Sequence, residues 1–362
     1  MSRTSTPTSA RRWATAVTRS TEIDQDEYVG FLDRLPAPAG VVLAYHYPFY
    51  LRFLAATAYP GSSVRLVVAR DDAGQIAGVL PGLHLRTVHL NVWLSLAYFG
   101  PNAGALAPED PDLVRHLVEA AQADARGLGC ASMTIYAPLS ADAEPYRAGL
   151  EGAEFEVERV SQCLPIPPTG AESVWPGKVR YDIRRARSLG VTARPVADES
   201  EADLVWQIYR DNCAEHGIPM KPLEHIRRLF ETAGPHGVFL LAEHEGDVIA
   251  GLICLAGGGV LSYYLPCSRA GSRALQPGLL LLDRAVEIAQ SSGCRLLNFE
   301  SSPRAEDSVY RFKARCGGEP VPYRTFVKLL TADALETYRA LTPAGVAAEA
   351  PHAFVVPFDA LQ

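Results

Sequence analysis

Near the C-terminal end of the sequence, Leu297 and Phe299 alternate with Asn298 and Glu300. On a strand this alternation turns the carboxamide and the carboxylate to one face. A carboxylate placed there can accept a proton from an amine or hold one; its plainer role is to pair with Arg311 or Lys313. A second feature is the stretch from Lys178 to Ser188, where Lys178, Arg180, Arg184, Arg185 and Arg187 face a single acid, Asp182. At helical spacing Arg180, Arg184 and Arg187 form one stripe, and Val179, Ile183 and Ala186 form the adjacent apolar one. The apolar stripe docks the helix and leaves the arginines for phosphates. The alternative is a solvated face paired with nearby carboxylates. The nine histidines show no metal-ligand spacing, and no metal is expected. Seven cysteines without a C-x-x-C pair argue against a disulfide framework and for reduced, buried thiols.

The elements that position these residues belong to a chain of 362 residues, long enough for about two domains. Hydrophobic residues at 48% and charged residues at 21% exclude a disordered, collagen-like or coiled-coil chain. A net charge of −7 excludes a protein coated with basic charge for nucleic acid, though not one with a local basic patch. Residues 1–20 are rich in Ser, Thr and Arg and lack the apolar core of a signal peptide, so they read as a disordered lead-in. No stretch approaches the ~20 apolar residues that span a bilayer. The expected location is the cytoplasm.

The chain repeats itself. Val67-Val68-Ala69-Arg70 is followed by Ile76-Ala77-Gly78-Val79-Leu80, and Leu240-Leu241-Ala242-Glu243 by Ile249-Ala250-Gly251-Leu252-Ile253. Each pair reads as a hairpin with a polar, Gly-containing turn. Farther on, the helical patterns 113–128 and 279–292 each end at Gly-Cys and lead into an apolar strand. The fold class is therefore α/β (α+β): two similar halves, 21–165 and 166–330, each a mixed, mainly antiparallel sheet flanked by helices. A Pro-rich join at 164–168 and a tail at 331–362 complete the plan.

The order strand, two helices, hairpin and strand, then helix, strand, helix and strand, resembles the GNAT acyltransferase fold. Asn298-Phe299-Glu300-Ser301-Ser302 with Tyr310-Arg311-Phe312-Lys313 and Gly317-Gly318 resembles the signature of the Fem-like family. These are tandem-GNAT enzymes, also described as BioF2-like or CelD-type. The resemblance extends over 30–330 and takes in the loop Phe99 to Gly104 and the basic helix from Lys178 to Gly190. It implies an acyltransferase that forms an amide bond between an activated donor, aminoacyl-tRNA or acyl-CoA, and an amine of a small molecule or peptide. Such a donor needs no enzyme nucleophile, in keeping with the lack of a Ser-His-Asp or Cys-His set. It does need a proton acceptor and donors for the oxyanion. By the resemblance Lys313 binds the donor and stabilises the oxyanion; Glu300, from its place on the strand, is the second catalytic candidate. Tyr263 and Tyr264 lie on the strand that in this fold splays beside the acyl site, one facing the pocket and the other the core, and Asn298, Arg311, Phe312 and Phe99 complete the substrate-site candidates. No tightly bound cofactor is implied. The stretch Arg273 to Leu280, where the fold places its pyrophosphate loop, lacks the second small residue, and Pro277 removes an N–H donor. That favours aminoacyl-tRNA slightly, with acyl-CoA-dependent N-acylation and a catalytically inactive binding module as alternatives. No heptad arm of the kind carried by cell-wall members is present.

Overall fold

The computed structural model describes residues 13–35, 42–96, 103–107, 110–170, 174–302 and 307–361. In the first half these are β1 (Ala14–Arg19), α1 (Gln25–Arg34), α2 (Pro48–Thr57), β2 (Ser63–Arg70), β3 (Ile76–Arg86) and β4 (Asn91–Leu94). Then come α3 (Pro111–Gly127), β5 (Ser132–Tyr136), α4 (Glu144–Gly149) and β6 (Phe155–Pro165). The basic helix α5 (Gly177–Ser188) joins the halves. The second half repeats the order: β7 (Thr192–Pro195), α6 (Glu199–His216), α7 (Leu223–Ala233), β8 (Gly237–His244), β9 (Asp247–Gly257) and β10 (Val260–Ser268). It continues with α8 (Pro277–Ser291), β11 (Leu296–Ser302), α9 (Ser308–Arg315) and β12 (Glu319–Leu329), and the tail adds α10 (Ala334–Glu349).

Local chemistry explains the main boundaries. Asp110 caps α3 by accepting from the Leu113 N–H, and Pro111 opens the helix, where a missing N–H costs nothing. Leu113, Leu117, Val118 and Ala121 then bury one face. Helix α6 starts at the Asp198 cap and stops at Gly217, which takes the left-handed conformation. One expectation is overturned at the start of the chain. Ala14–Arg19, assigned by composition to a disordered lead-in, is an edge strand paired antiparallel with β2. Its Thr/Val/Ala run satisfies a ladder that local polarity concealed.

All twelve strands form one sheet in the order β1-β2-β3-β4-β5-β12-β6-β11-β10-β9-β8-β7. The order is symmetric about its centre, and each half has exchanged its last strand. β6, from the first half, lies against β11, while β12, from the second, lies against β5. The two exchanged strands also pair with each other, from Glu319↔Cys163 to Val327↔Phe155. A cut at 165/166 therefore separates the copies in sequence but not in space.

One face of the sheet carries a core shared by both halves, in which Tyr45, Tyr50 and Phe53 meet Val260, Leu296 and Tyr323. The opposite face carries two separate cores. One is built with α3 in the first half, and the other, containing Leu261, Leu297 and Phe299, with α5 and α8 in the second. The tail is tied to the first half by a Ser132–Tyr338 hydroxyl pair at 2.5 Å and by Glu349, which accepts from Thr87 and His89. All seven cysteines are free and buried. No described helix is long and apolar enough to cross a membrane.

Candidate functional site between the halves

Strand β11 breaks its ladder with β6 between Asn298 and Ser301. At the break Glu300 has φ of 63°, a left-handed conformation that costs a non-glycine residue roughly 1–3 kcal/mol and persists only when its surroundings enforce it. The enforcing group is Lys313. From α9 its Nζ donates to the main-chain carbonyls of Glu300 (3.2 Å) and Ser301 (2.8 Å). Lys313 is only 4% exposed. The Gly-Gly turn after α9 serves this approach: Gly317 has φ of 91°, and a Cβ on Gly318 would press within 3.0 Å of the Lys313 carbonyl and the Phe299 ring.

Asn298 fixes the carboxylate from the other side. Its Oδ1 accepts from the Glu300 N–H (2.9 Å) and from Ser161 Oγ (2.6 Å), and its Nδ2 donates to Glu300 Oε1 (3.3 Å). From the first half, Tyr45 donates its hydroxyl to the same Oε1 at 2.8 Å. Glu300 Oε2 and Ser262 Oγ are both buried without a well-aligned hydrogen bond, but the Ser262 hydroxyl lies close enough to the carboxylate to favour its charged form. Burial pushes the Glu300 carboxyl up to about 7, opposed by the Ser262 and Tyr45 hydroxyls and by the Lys313 charge. Burial lowers Lys313 to about 8, opposed by Glu300 and Cys163. A carboxylate that titrates near neutrality in a dry, fixed setting suits proton transfer at working pH.

Around it lies an aromatic wall. Tyr45 stands edge-on to Tyr50 with ring centroids 4.9 Å apart, and Tyr264 is 6.4 Å from Tyr45. The Tyr50 and Tyr264 hydroxyls are hydrogen-bonded to each other. His225 Nε2 meets the Tyr264 hydroxyl at 2.7 Å, and Lys221 Nζ lies 5.7 Å from the Tyr264 ring. Burial holds His225 well below the usual histidine range, so it is neutral.

The residues singled out in the sequence divide. Glu300, Lys313, Asn298 and Tyr264 come together here. Tyr263 points to the opposite face, edge-on to Phe299 at 5.7 Å, as the alternation of neighbouring strand residues requires. Phe312 packs against that same lower core, and Arg311 is exposed. Phe99 lies outside the described residues. Neither Arg311 nor Lys313 pairs with the Glu300 carboxylate in the manner of the structural alternative, since Lys313 bonds the main chain instead.

The basic helix lies across the sheet from the Glu300 carboxylate. Val179, Ile183 and Ala186 are buried, as their spacing predicts. Arg180, Arg184 and Arg185 are exposed. Arg187 is not free for phosphate: it bonds the buried Asp283 at 2.6 Å, which also accepts from Trp175 Nε1 at 2.6 Å. Lys178 is tied to Asp182 at 3.0 Å, and Arg315 holds that same carboxylate. Sequence spacing showed the stripe but could not show acids about a hundred residues away.

At the two helix starts that follow the fourth strand of each half, most of the described N–H groups are already engaged, the Gly278 N–H excepted. Ahead of α8, the Ser272 and Gln276 N–H groups close onto Arg269 and Arg273 carbonyls, Leu279 N–H returns to Gln276, and Pro277 has none to give. Ahead of α3, the Asp110 carboxylate occupies the corresponding position. Tyr45, Tyr50, His225, Ser161 and Ser262 were not among the residues marked in the sequence. Ser262 shares the alternation of β10 with Tyr264, but nothing local points to Tyr45.

A profile of acetyltransferase (GNAT) domains matches residues 177–321. The match lies within the second half of the chain. The fold of the whole chain is similar to that of FemX, with a TM-score of 0.66, 10% identity and coverage of 85% of this chain and 96% of that one. It is similar to a tandem GNAT protein from the clavulanic acid biosynthesis pathway, at 0.56, 14%, 88% and 99%. L-PGS from Bacillus licheniformis gives 0.54, 11%, 87% and 95%. No curated protein matches the chain in sequence. The fold, two similar halves arranged as in these tandem structures, thus agrees with the expected one, and the segment that matches the profile contributes β10, β11 and α9 to the site. Among the described residues no group of three or more His, Cys, Asp or Glu could hold a metal ion.

Proposed function

We propose that the protein is a cytoplasmic acyltransferase that forms an amide bond, with Glu300 as the base that deprotonates the attacking amine. The observation that carries this reading is the buried Glu300 carboxylate, whose Oε1 is held by Tyr45 and Asn298 while Oε2 lacks a well-aligned donor beside the Ser262 hydroxyl. An amine nitrogen attacks the carbonyl carbon of an activated acyl group. The new C–N bond forms and the ester C–O, or thioester C–S, bond breaks. The proton shed by the nitrogen goes to Glu300 and from there to the departing alkoxide or thiolate. Lys313 spends two of its three N–H donors on the main chain; the third and the Ser262 hydroxyl supply charge stabilisation for the oxyanion.

Aminoacyl-tRNA is the favoured donor. The engaged helix starts ahead of α3 and α8 leave acyl-CoA few free N–H groups, and exposed Arg180, Arg184 and Arg185 lie on the α8 side of the sheet. The test is to incubate purified protein with charged tRNA, or with acyl-CoA, and a mixture of amines, and to identify products by mass spectrometry. The expected result is RNase-sensitive acylation that Glu300→Gln abolishes. Acylation from acyl-CoA alone overturns the choice of donor. Turnover that is unchanged in E300Q overturns the site, and no product from either donor favours a binding role.

A further inference from the structure

A cleft of about 800 Å³ lies between the middle of the sheet and the C-terminal tail. Its walls include Arg159, Ser301, Ser302 and Tyr310 on one side and Phe354 and Val355 on the other. That volume is ordinary for a small-molecule site. The cleft reaches the residues that follow Glu300 in β11.

Arg159 is held in an unusual manner for a half-buried arginine. Its Nε donates to Thr325 Oγ1 at 3.0 Å. Its guanidinium carbon lies over the Phe354 ring at 4.2 Å from the centroid and over Tyr136 at 5.9 Å. Among the described residues its two terminal nitrogens make no hydrogen bond or ion pair. Two acids line the cleft as well: Glu158, which is engaged by Arg324 at 3.1 Å, and Asp359, which forms no ion pair with Arg159. With Nε taken and aromatic rings on its faces, the open part of Arg159 is the Nη1–Nη2 edge. A planar carboxylate matches that edge end-on with two parallel hydrogen bonds.

Arg159 also has a fixed relation to the base. It precedes Ser161 by two residues on β6, so it faces the same side of the sheet about 6.6 Å away along the strand. Ser161 is paired with Ser301 and hydrogen-bonded to Asn298, which holds Glu300. We infer that the acceptor is a small amino carboxylate, its carboxylate forked by Arg159 in the cleft beneath the tail and its amine delivered to Glu300. This rests on the acyl-transfer reading given above and names the acceptor class for the same site.

The test is a binding measurement with no acyl donor present, by calorimetry and thermal shift. The probes are β-alanine, γ-aminobutyrate and their longer ω-amino acid homologues, each against its own carboxamide, together with inorganic phosphate. The expected result is a carboxylate preference over the carboxamide of about tenfold or more at one chain length. Arg159→Met removes the preference, and Arg159→Lys, which keeps the charge but not the fork, retains only part of it. Circular dichroism and the melting temperature of both variants separate lost binding from lost folding. Equal binding of carboxylate and carboxamide, no carboxylate binding at millimolar concentration, tighter binding of phosphate than of every carboxylate, or a preference that survives R159M each overturns the inference. Loss of turnover in E300Q bears on the base alone, because the binding preference is read without turnover.

Discussion

The hydroxyl of Tyr45 and the carboxylate of Glu300 are separated by 255 residues in the chain and by 2.8 Å in space. This bond ties the first half of the protein to the one carboxylate in the site that titrates near neutrality. The setting of the proposed base is thus complete only when both halves are in place.

Removing the Tyr45 hydroxyl should move the pH profile. The hydroxyl donates to Glu300 and so favours its ionised form, and only the ionised form can accept a proton. In wild-type protein kcat/KM should rise with pH through an inflection near 7. Tyr45→Phe should move that inflection upward, while Glu300→Gln should lower kcat by roughly 10²–10⁴-fold at every pH. A Tyr45→Phe profile that coincides with that of wild type would contradict the assignment.

The same carboxyl makes stability depend on pH. Its folded pKa of about 7 lies above the ordinary carboxyl value of 4.5, so between these limits the folded state binds more protons than the unfolded one. Stability from this group is complete below 4.5 and falls as pH rises through 7. Denaturant titrations across that window should show wild type losing stability relative to E300Q, by an amount on the order of 3 kcal/mol. Lys313 acts in a separate window: its depressed pKa imposes a cost that is relieved as pH rises from about 8 towards 10.5.

Lys313 should matter to the main chain before it matters to the acyl group. Lys313→Met deletes two charge-assisted bonds to the left-handed turn at Glu300. The expected loss is roughly 2–4 kcal/mol of stability together with most of the activity. Adding Glu300→Gly to K313M should recover part of the melting temperature, since glycine adopts φ of 63° freely, but none of the turnover. If K313M melts like wild type, the lysine is not the brace for this turn.

The arginines of α5 should fall into two groups. Arg180→Gln, Arg184→Gln and Arg185→Gln combined should leave the melting temperature nearly unchanged, raise KM for a tRNA donor and weaken its salt dependence. Arg187→Gln should instead cost roughly 3–5 kcal/mol, because it leaves the buried Asp283 without its cation. Melting curves beside donor titrations at two salt concentrations distinguish the groups; equal destabilisation by both sets would be the contrary outcome.

How much was legible beforehand follows from which interactions are local. The hairpins around Ala69 and Ala242 and the helices ending at Gly129 and Gly293 announce themselves through period and turn chemistry, so the twofold plan could be read directly. Glu300 was legible as a polar residue on an alternating strand, although the bulge that re-aims it was not, because that bulge depends on Lys313 reaching two carbonyls. Arg187 looked free because its partner Asp283 lies inside another helix. Arg159 drew no notice: its meaning comes from Thr325, Tyr136 and Phe354, which the fold gathers from three distant segments. Strand exchange is the least legible feature of all, since alternation shows which face of β6 is buried and nothing about which neighbour it will have.

That exchange has a consequence for biosynthesis. Until residues 319–329 have left the ribosome, β5 has no partner on its inner edge, and β6, both of whose neighbours come from the second copy, stays incompletely paired. The nascent first copy therefore cannot finish folding on its own schedule, and it exposes open, apolar strand edges while the second copy is being translated. A product cut short before β12 would be an aggregation-prone fragment rather than a working half, so the duplicated plan cannot be pared back to a single copy by deleting one end of its gene.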